Sequence, residues 1–273
     1  MRAFLQFLAC CRAVLAQLVT FPGTLEVDLI FPRNVTYSPA QFFPFIFAIQ
    51  NPLLAIPLDL SIRYALFSFG TTDGSNASNI SIDGDIDLQN DKISSWDPYL
   101  AYPAFDFTTK LSITQGTWLL TWTASSGNCS ANPESGRTDQ SYLNRDAHVW
   151  FTTKKGALPV DLVAATDAGT CPVNTSNLTY NITGTLDTPD PSKFDGRDSC
   201  AILSSPPAAN PCGAKIAVTA ASSISAAITA SHCAFPHPLV KCPPAGNAAG
   251  SRTLKRLVLL AITLGWGACL LLR

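Results

Sequence analysis

Short runs of alternating apolar and polar residues separated by turn signals, twenty prolines and only two glutamates predict an all-β protein. Regular strand-turn spacing points to an immunoglobulin-like β-sandwich. The sequence after residues 155–170 is poorer in aromatics and holds most of the cysteines, so a smaller disulfide-stapled C-terminal region is expected, packed on the sandwich or continuing it.

The first strand is expected over Thr24–Phe31, where Leu25, Val27, Leu29 and Phe31 share one face and Glu26 and Asp28 the other. This two-residue period predicts a half-buried strand, stopped by Pro32. Phe42–Ile49 is almost wholly apolar and ends at Asn51-Pro52, which suits a strand covered on both faces. Leu60–Phe69 is a third strand, closed by Gly70 and a polar loop. Ile82, Ile86 and Leu88 alternate with Asp83, Asp85 and Asp87, predicting a strand with a solvated acidic face.

Trp118, Leu120 and Trp122 alternate with threonines in a strongly β-favouring run, and core packing is their expected role. Ala147–Thr153 continues in the same style and sets His148 and Trp150 on one face. In Leu178–Thr183, Tyr180 and Ile182 are expected inside, with Thr179, Asn181 and Thr183 in water. The single helix candidate is Ala220–Ala230, expected to be short.

Both ends carry addresses. Residues 1–16 combine an early Arg2, a short apolar run and small residues at Val14 and Ala16, the pattern of a secretory signal peptide cut after Ala16. Leu257–Leu272 is continuously apolar, but sixteen helical residues span only about 24 Å against a hydrocarbon core of about 30 Å. Arg252, Lys255 and Arg256 would also lie on the outer side, against the usual bias of basic residues. A glycosylphosphatidylinositol signal fits better: small residues at 246–251, a spacer and a short apolar tail. Asn247 is the expected attachment residue, with Gly246 and Gly250 as neighbouring alternatives.

The resulting division is a signal peptide at 1–16, a β-sandwich domain at 17–160, a disulfide-rich β region at 161–233, a Pro-rich stalk at 234–247 and a cleaved propeptide at 248–273. Within residues 17–247, twelve basic side chains face nineteen acidic ones, a balance of −7. That sign disfavours nucleic acid and anionic lipid as partners. Six cysteines remain, Cys129, Cys171, Cys200, Cys212, Cys233 and Cys242, and an even number in an oxidising compartment reads as three disulfides of open connectivity. Sequons stand at Asn34, Asn76, Asn79, Asn128, Asn174, Asn177 and Asn181, a density typical of a surface glycoprotein.

Three stretches together carry a resemblance. Gly23-Thr24-Leu25-Glu26-Val27-Asp28-Leu29-Ile30-Phe31-Pro32-Arg33-Asn34, Phe47-Ala48-Ile49-Gln50-Asn51-Pro52, and Gly116–Trp122 followed by Asn128-Cys129 resemble a fungal secreted-protein family whose common domain has no assigned function. The resemblance covers most of residues 22–242 and implies a fungal, extracellular, often tail-anchored protein. It brings no catalytic residues with it.

No catalytic, cofactor-binding or metal-binding residue is assigned from the sequence. Gly-x-Ser-x-Gly and His-Glu-x-x-His are absent. The Asp83–Asp91 cluster has Leu88 where a calcium loop needs glycine and Ser94 where it needs a bidentate glutamate. His232 and His237 flank Cys233 without a third ligand in range. Among aromatics, Trp96, Tyr99 and Tyr102 are the candidates for contact with sugar, because they fall in or beside a loop. The expectation is therefore a non-enzymatic surface or cell-wall glycoprotein, held by its lipid anchor and in possible reach of wall polysaccharide. A carbohydrate-binding module and a carboxylate-dependent wall-polysaccharide hydrolase are the alternatives.

Overall fold

The computed structural model describes residues 19–40, 42–71, 81–88, 98–102, 104–106, 115–167, 177–189, 197–234 and 242. Its strands are β1 (Gly23–Phe31), β2 (Thr36–Tyr37), β3 (Phe42–Pro44), β4 (Ile46–Gln50), β5 (Ser61–Thr71), β6 (Ser81–Asp87), β7 (Tyr99–Ala101), β8 (Ala104–Asp106), β9 (Gly116–Ala131), β10 (Thr138–Thr153), β11 (Asn177–Asp187) and β12 (Ser199–Ser204). Two helices, α1 (Ala55–Leu58) and α2 (Val218–Cys233), complete the described α-structure.

Two five-stranded sheets face each other in a β-sandwich. The first has the order β12-β11-β1-β4-β7, the second β2-β10-β9-β5-β6, and β3 pairs with β8 in a small sheet of its own. The two-residue period expected from the sequence decides which side chains meet between the sheets. Leu25, Val27, Leu29 and Phe31 of β1 point inward and are buried, as are Trp118, Leu120, Trp122 and Ala124 of β9. Phe47 of β4 meets Trp122 edge-on at 5.4 Å, joining the sheets at the centre. Phe43 stacks on Phe151 at 5.1 Å, and Phe31 lies 5.1 Å from Phe43. The Trp118 indole donates to Thr153 Oγ1 at 2.9 Å, so its polar edge is satisfied inside the core.

β11 and β12 continue the sandwich, since β11 lies between β12 and β1 within the first sheet. Cys129 of β9 is bonded to Cys200 of β12 (Cα–Cα 5.9 Å), which ties the second sheet to the edge of the first. Beside it, Asn128 Oδ1 accepts the backbone N–H of Leu203 at 3.0 Å. Cys212 is also disulfide-bonded, and Cys171 lies outside the described residues.

Two expectations need correction. β1 is buried on both faces, with Glu26 at 5% and Asp28 at 0% exposure. Thr179, expected in water, is also buried. The cause is one segment: after β12 the chain doubles back over the outer face of the first sheet. Ser205 O receives Asn181 Nδ2, Pro207 O receives Thr179 Oγ1, and the Asn210 amide donates to Glu26 Oε2. The helix is longer than the sequence suggests, and its Ile224 and Ile228 join the same buried cluster as β1 and β4.

The chain divides into two compact units, Met1–Ile228 and Thr229–Arg273. Described residues of the second include the end of α2 and the Cys233–Cys242 disulfide, with a Cα–Cα distance of 5.8 Å.

Cys129 and Cys200 are separated by 71 residues. Closing a loop of that size removes chain entropy worth about 4 kcal/mol from the unfolded state. Replacing both with serine is expected to cost roughly 2–5 kcal/mol and lower the melting temperature by about 10 °C, measured by scanning calorimetry. An unchanged melting temperature would mean that the bridge does not close the sandwich.

Candidate functional site

The outer face of the second sheet carries the side chains that alternate with the core. Cross-strand register sets them in rows. Trp150 of β10 stands opposite Leu119 of β9, which stands opposite Phe67 of β5. One row along, Thr152, Thr117 and Phe69 align. Phe69 and Trp150 touch across β9, with ring centroids 4.9 Å apart and planes inclined by 59°. They remain 47% and 39% exposed, an unusual outlay of aromatic surface to water.

In the other direction the face becomes polar. His148, Thr121, Ala65 and Asp83 form one row, and Asp146, Thr123, Arg63 and Asp85 the next. Thr123 Oγ1 lies 2.6 Å from Asp146 Oδ1, Ser125 Oγ lies 2.8 Å from Asn144 Oδ1, and Arg63 Nε lies 3.1 Å from Asp85 Oδ1. Those bonds hold the polar groups in fixed positions without burying them. The acidic face expected for β6 is present: Asp83 and Asp85 are exposed, while Ile86 and Leu88 are buried.

A second polar cluster is buried. Register places Gln50, Glu26 and Thr179 in one row across β4, β1 and β11. Each bonds the returning segment, Gln50 Nε2 through Asn210 O at 3.1 Å. Gln50 Nε2 also donates to Asp28 Oδ2 at 2.9 Å. Burial pushes the Asp28 carboxyl from 3.8 up to about 8; the Gln50 bond opposes this and Glu26 adds to it. At neutral pH Asp28 is therefore largely protonated, which removes the repulsion between two carboxylates on one strand face. Buried beneath the segment as it is, this pair serves packing and offers no cleft for a substrate.

Two further features lie where β10 extends past the sandwich. Leu143, Arg145, Thr179, Tyr180, Leu203, Ser204 and Pro206 line an open cleft of about 290 Å³. Arg145 is committed there, its guanidinium 5.5 Å from the Tyr180 ring centroid and Nη1 on Thr179 O at 2.7 Å. Arg197 pairs with Asp59 at 3.0 Å with only 3% of its side chain exposed, and Tyr142 donates to the same Asp59 oxygen at 3.2 Å. Among the described residues no three His, Cys, Asp or Glu side chains converge as a metal site.

A family model for a domain of unknown function, DUF7136, matches residues 20–242. The chain belongs to this family. No curated protein and no solved structure matches it. The DUF7136 domain thus takes in both sheets, the returning segment and the helix, and its candidate site must be read from its own geometry.

Within that domain, Trp96 lies outside the described residues. Tyr99 stands opposite Ile49 and packs, partly buried, against the core, leaving Tyr102 as the exposed member of the pair at 37%. Sequence reasoning did not bring Phe69 and Trp150 together. It set Trp150 with His148 on one face, but Val149 and Phe151 on the other are equally apolar, so the alternation alone does not say which face is wet. Of the sequons, Asn34 is exposed, Asn128 and Asn181 are half-buried, Asn177 begins β11, and Asn76, Asn79 and Asn174 lie outside the described residues, as does Asn247.

Because its native carboxyl holds a proton that the unfolded chain releases above about pH 4, Asp28 lowers stability as pH rises, until about pH 8. The slope approaches about 1.4 kcal/mol per pH unit. Urea denaturation of the native protein and Asp28→Asn across that range is expected to give a difference that grows in favour of Asn as pH increases. A difference constant with pH would show that Asp28 is ionised in the fold.

Proposed function

We propose that the protein is a non-enzymatic glycoprotein of the fungal cell surface or wall, carried through the secretory pathway and held by a glycosylphosphatidylinositol anchor at Asn247, with a structural or interaction role. The observation that carries this reading is the paired state of the cysteines. Cys129–Cys200 and Cys233–Cys242 have geometry suited to an oxidising compartment and rare in the cytosol. The exposed sequon Asn34 supports the same address. The matched domain ends at Cys242, ahead of the proposed attachment residue and apolar tail.

An interaction role suits the distribution of side chains. Among the described residues, the carboxyl groups of Glu26 and Asp28 are enclosed, and those of Asp83, Asp85 and Asp146 are laid out on an open sheet. An open sheet face favours recognition over bond cleavage, which needs two carboxyl groups set on either side of a bound glycosidic oxygen. The partners proposed are the membrane, through the lipid, and wall polysaccharide. Nucleic acid is disfavoured by the acidic balance between the end segments.

Treating intact cells with phosphatidylinositol-specific phospholipase C is expected to release the protein, and mass spectrometry of its C-terminal peptide to end at Asn247 with an ethanolamine remnant. Material that still contains Trp266 and Cys269 would overturn the anchor.

A further inference from the structure

We infer that the outer face of the second sheet is a binding surface for an extended polysaccharide carrying free amino groups. The inference rests on the surface location proposed above and gives that location a ligand class. Three observations on this face combine.

The first is the exposed aromatic pair. Trp150 and Phe69 lie in contact on adjoining rows, backed by Leu119 and Phe67. Flat aromatic surface flanked by hydroxyl groups suits the C–H face of a pyranose, which is apolar over its axial hydrogens and polar around its rim. The two rings touch at an inclination of 59° and do not form one plane, so their exposed edges and faces offer a bent platform to a single sugar unit and not a flat crystalline surface.

The second is spacing. Rows on one sheet face are two residues apart, about 7 Å along the strand. From Trp150, the Thr121 row and then the Thr123 row follow in sequence along β9 and β10. A glycan chain laid along these strands passes from the aromatic pair onto His148 and Thr121, then Thr123 and Asp146. The oxygens of Thr123, Asp146, Ser125 and Asn144 are already fixed by mutual hydrogen bonds, so little ordering is left to do on binding.

Charge is the third. The polar half presents the carboxylates of Asp83, Asp85 and Asp146 against the single guanidinium of Arg63, which is already paired with Asp85. Lys154 and Lys155 follow β10 beyond the aromatic end, so the negative field is confined to the polar half. Polyanionic glycans are repelled from it, whereas a polycationic glycan is attracted beyond what hydroxyl donors alone would give. Ammonium groups on a hexosamine chain laid this way would meet Asp146 two rows, about 14 Å, from Trp150, with Asp83 and Asp85 adding to the field from β6.

The test uses the full-length protein purified in mild detergent from a secreting host. Binding is measured to beads of β-1,4-linked polyglucosamine, to the fully acetylated polymer and to a neutral β-glucan, at low and high salt. Expected are binding to polyglucosamine that weakens with salt, a loss of at least about tenfold in Trp150→Ala and Phe69→Ala, and a smaller loss in Asp146→Asn. Val218→Ala, an exposed apolar position outside the sheet, should bind as the native protein does. Each variant's melting temperature separates lost binding from lost folding; both aromatic side chains are exposed, so it should change little. Absence of binding by folded protein overturns the proposal, as does equal retention on the neutral glucan with no effect of Asp146→Asn. Concentration-dependent self-association abolished by Trp150→Ala would assign the face to a second copy of the chain instead. Phospholipase release from cells involves no glycan ligand, and bead binding needs no anchor, so this proposal and the one it rests on fail separately.

Discussion

The architecture depends on covering a strand that carries two carboxyl groups. β1 occupies the middle of the first sheet, between β11 and β4, and its inner face supplies Leu25, Val27, Leu29 and Phe31 to the core. Its outer face cannot be packed with apolar material alone, because Glu26 and Asp28 stand there. Burying a carboxyl without a partner costs several kcal/mol, so the covering must bring donors of its own. The segment 205–210 does this with backbone groups, and Gln50 bridges it to Asp28. Protonation of Asp28 completes the arrangement by removing a buried charge beside Glu26.

From this covering the rest follows. A chain that must return across the outer face after β12 needs a firmly placed β12, and β12 is an edge strand. The disulfide to Cys129 and the bond from the Leu203 amide to Asn128 hold it against the long β9–β10 hairpin. Arg145 reaches from that hairpin to the Thr179 carbonyl, one position from the Tyr180 ring it covers. The side chains at this end therefore couple the two sheets, whereas at the centre apolar contacts such as Phe47 on Trp122 suffice.

Much of the sandwich is legible from local alternation. The Trp118–Leu120–Trp122 run, the acidic strand at Ile82–Leu88 and the inward Tyr180 and Ile182 all fall where the period puts them. Alternation fails where the environment is set by distant chain. Glu26, Asp28 and Thr179 read as solvent-facing because nothing within the strand reveals that residues 205–210 will lie over it. The first half of β10, Thr138–Asn144, leaves no apolar period to read, as its side chains are mostly exposed on both faces. The aromatic pair was hidden for a third reason: Phe69 and Trp150 are 81 positions apart in sequence and become neighbours only through the pairing of both strands with β9. Tyr99 and Tyr102, close in sequence, were easier to group and are separated by burial instead.

The two outer faces are treated differently by the same chain, and the difference is informative. An open sheet face with aromatic side chains is an invitation to unwanted association, and β6, at the edge of that sheet, blunts it with outward Asp83 and Asp85. On the first sheet the chain uses residues 205–210 for concealment. On the second, along β5, β9 and β10, threonine and serine fill the central strand, charge guards one end, and Trp150 and Phe69 are concentrated at the other. Random exposure would scatter apolar side chains singly over the surface. Other large apolar side chains are exposed elsewhere, Leu158 and Val218 among them, but on this face Phe69 and Trp150 are in contact beside hydrogen-bonded polar rows, the arrangement expected of a surface that receives a ligand.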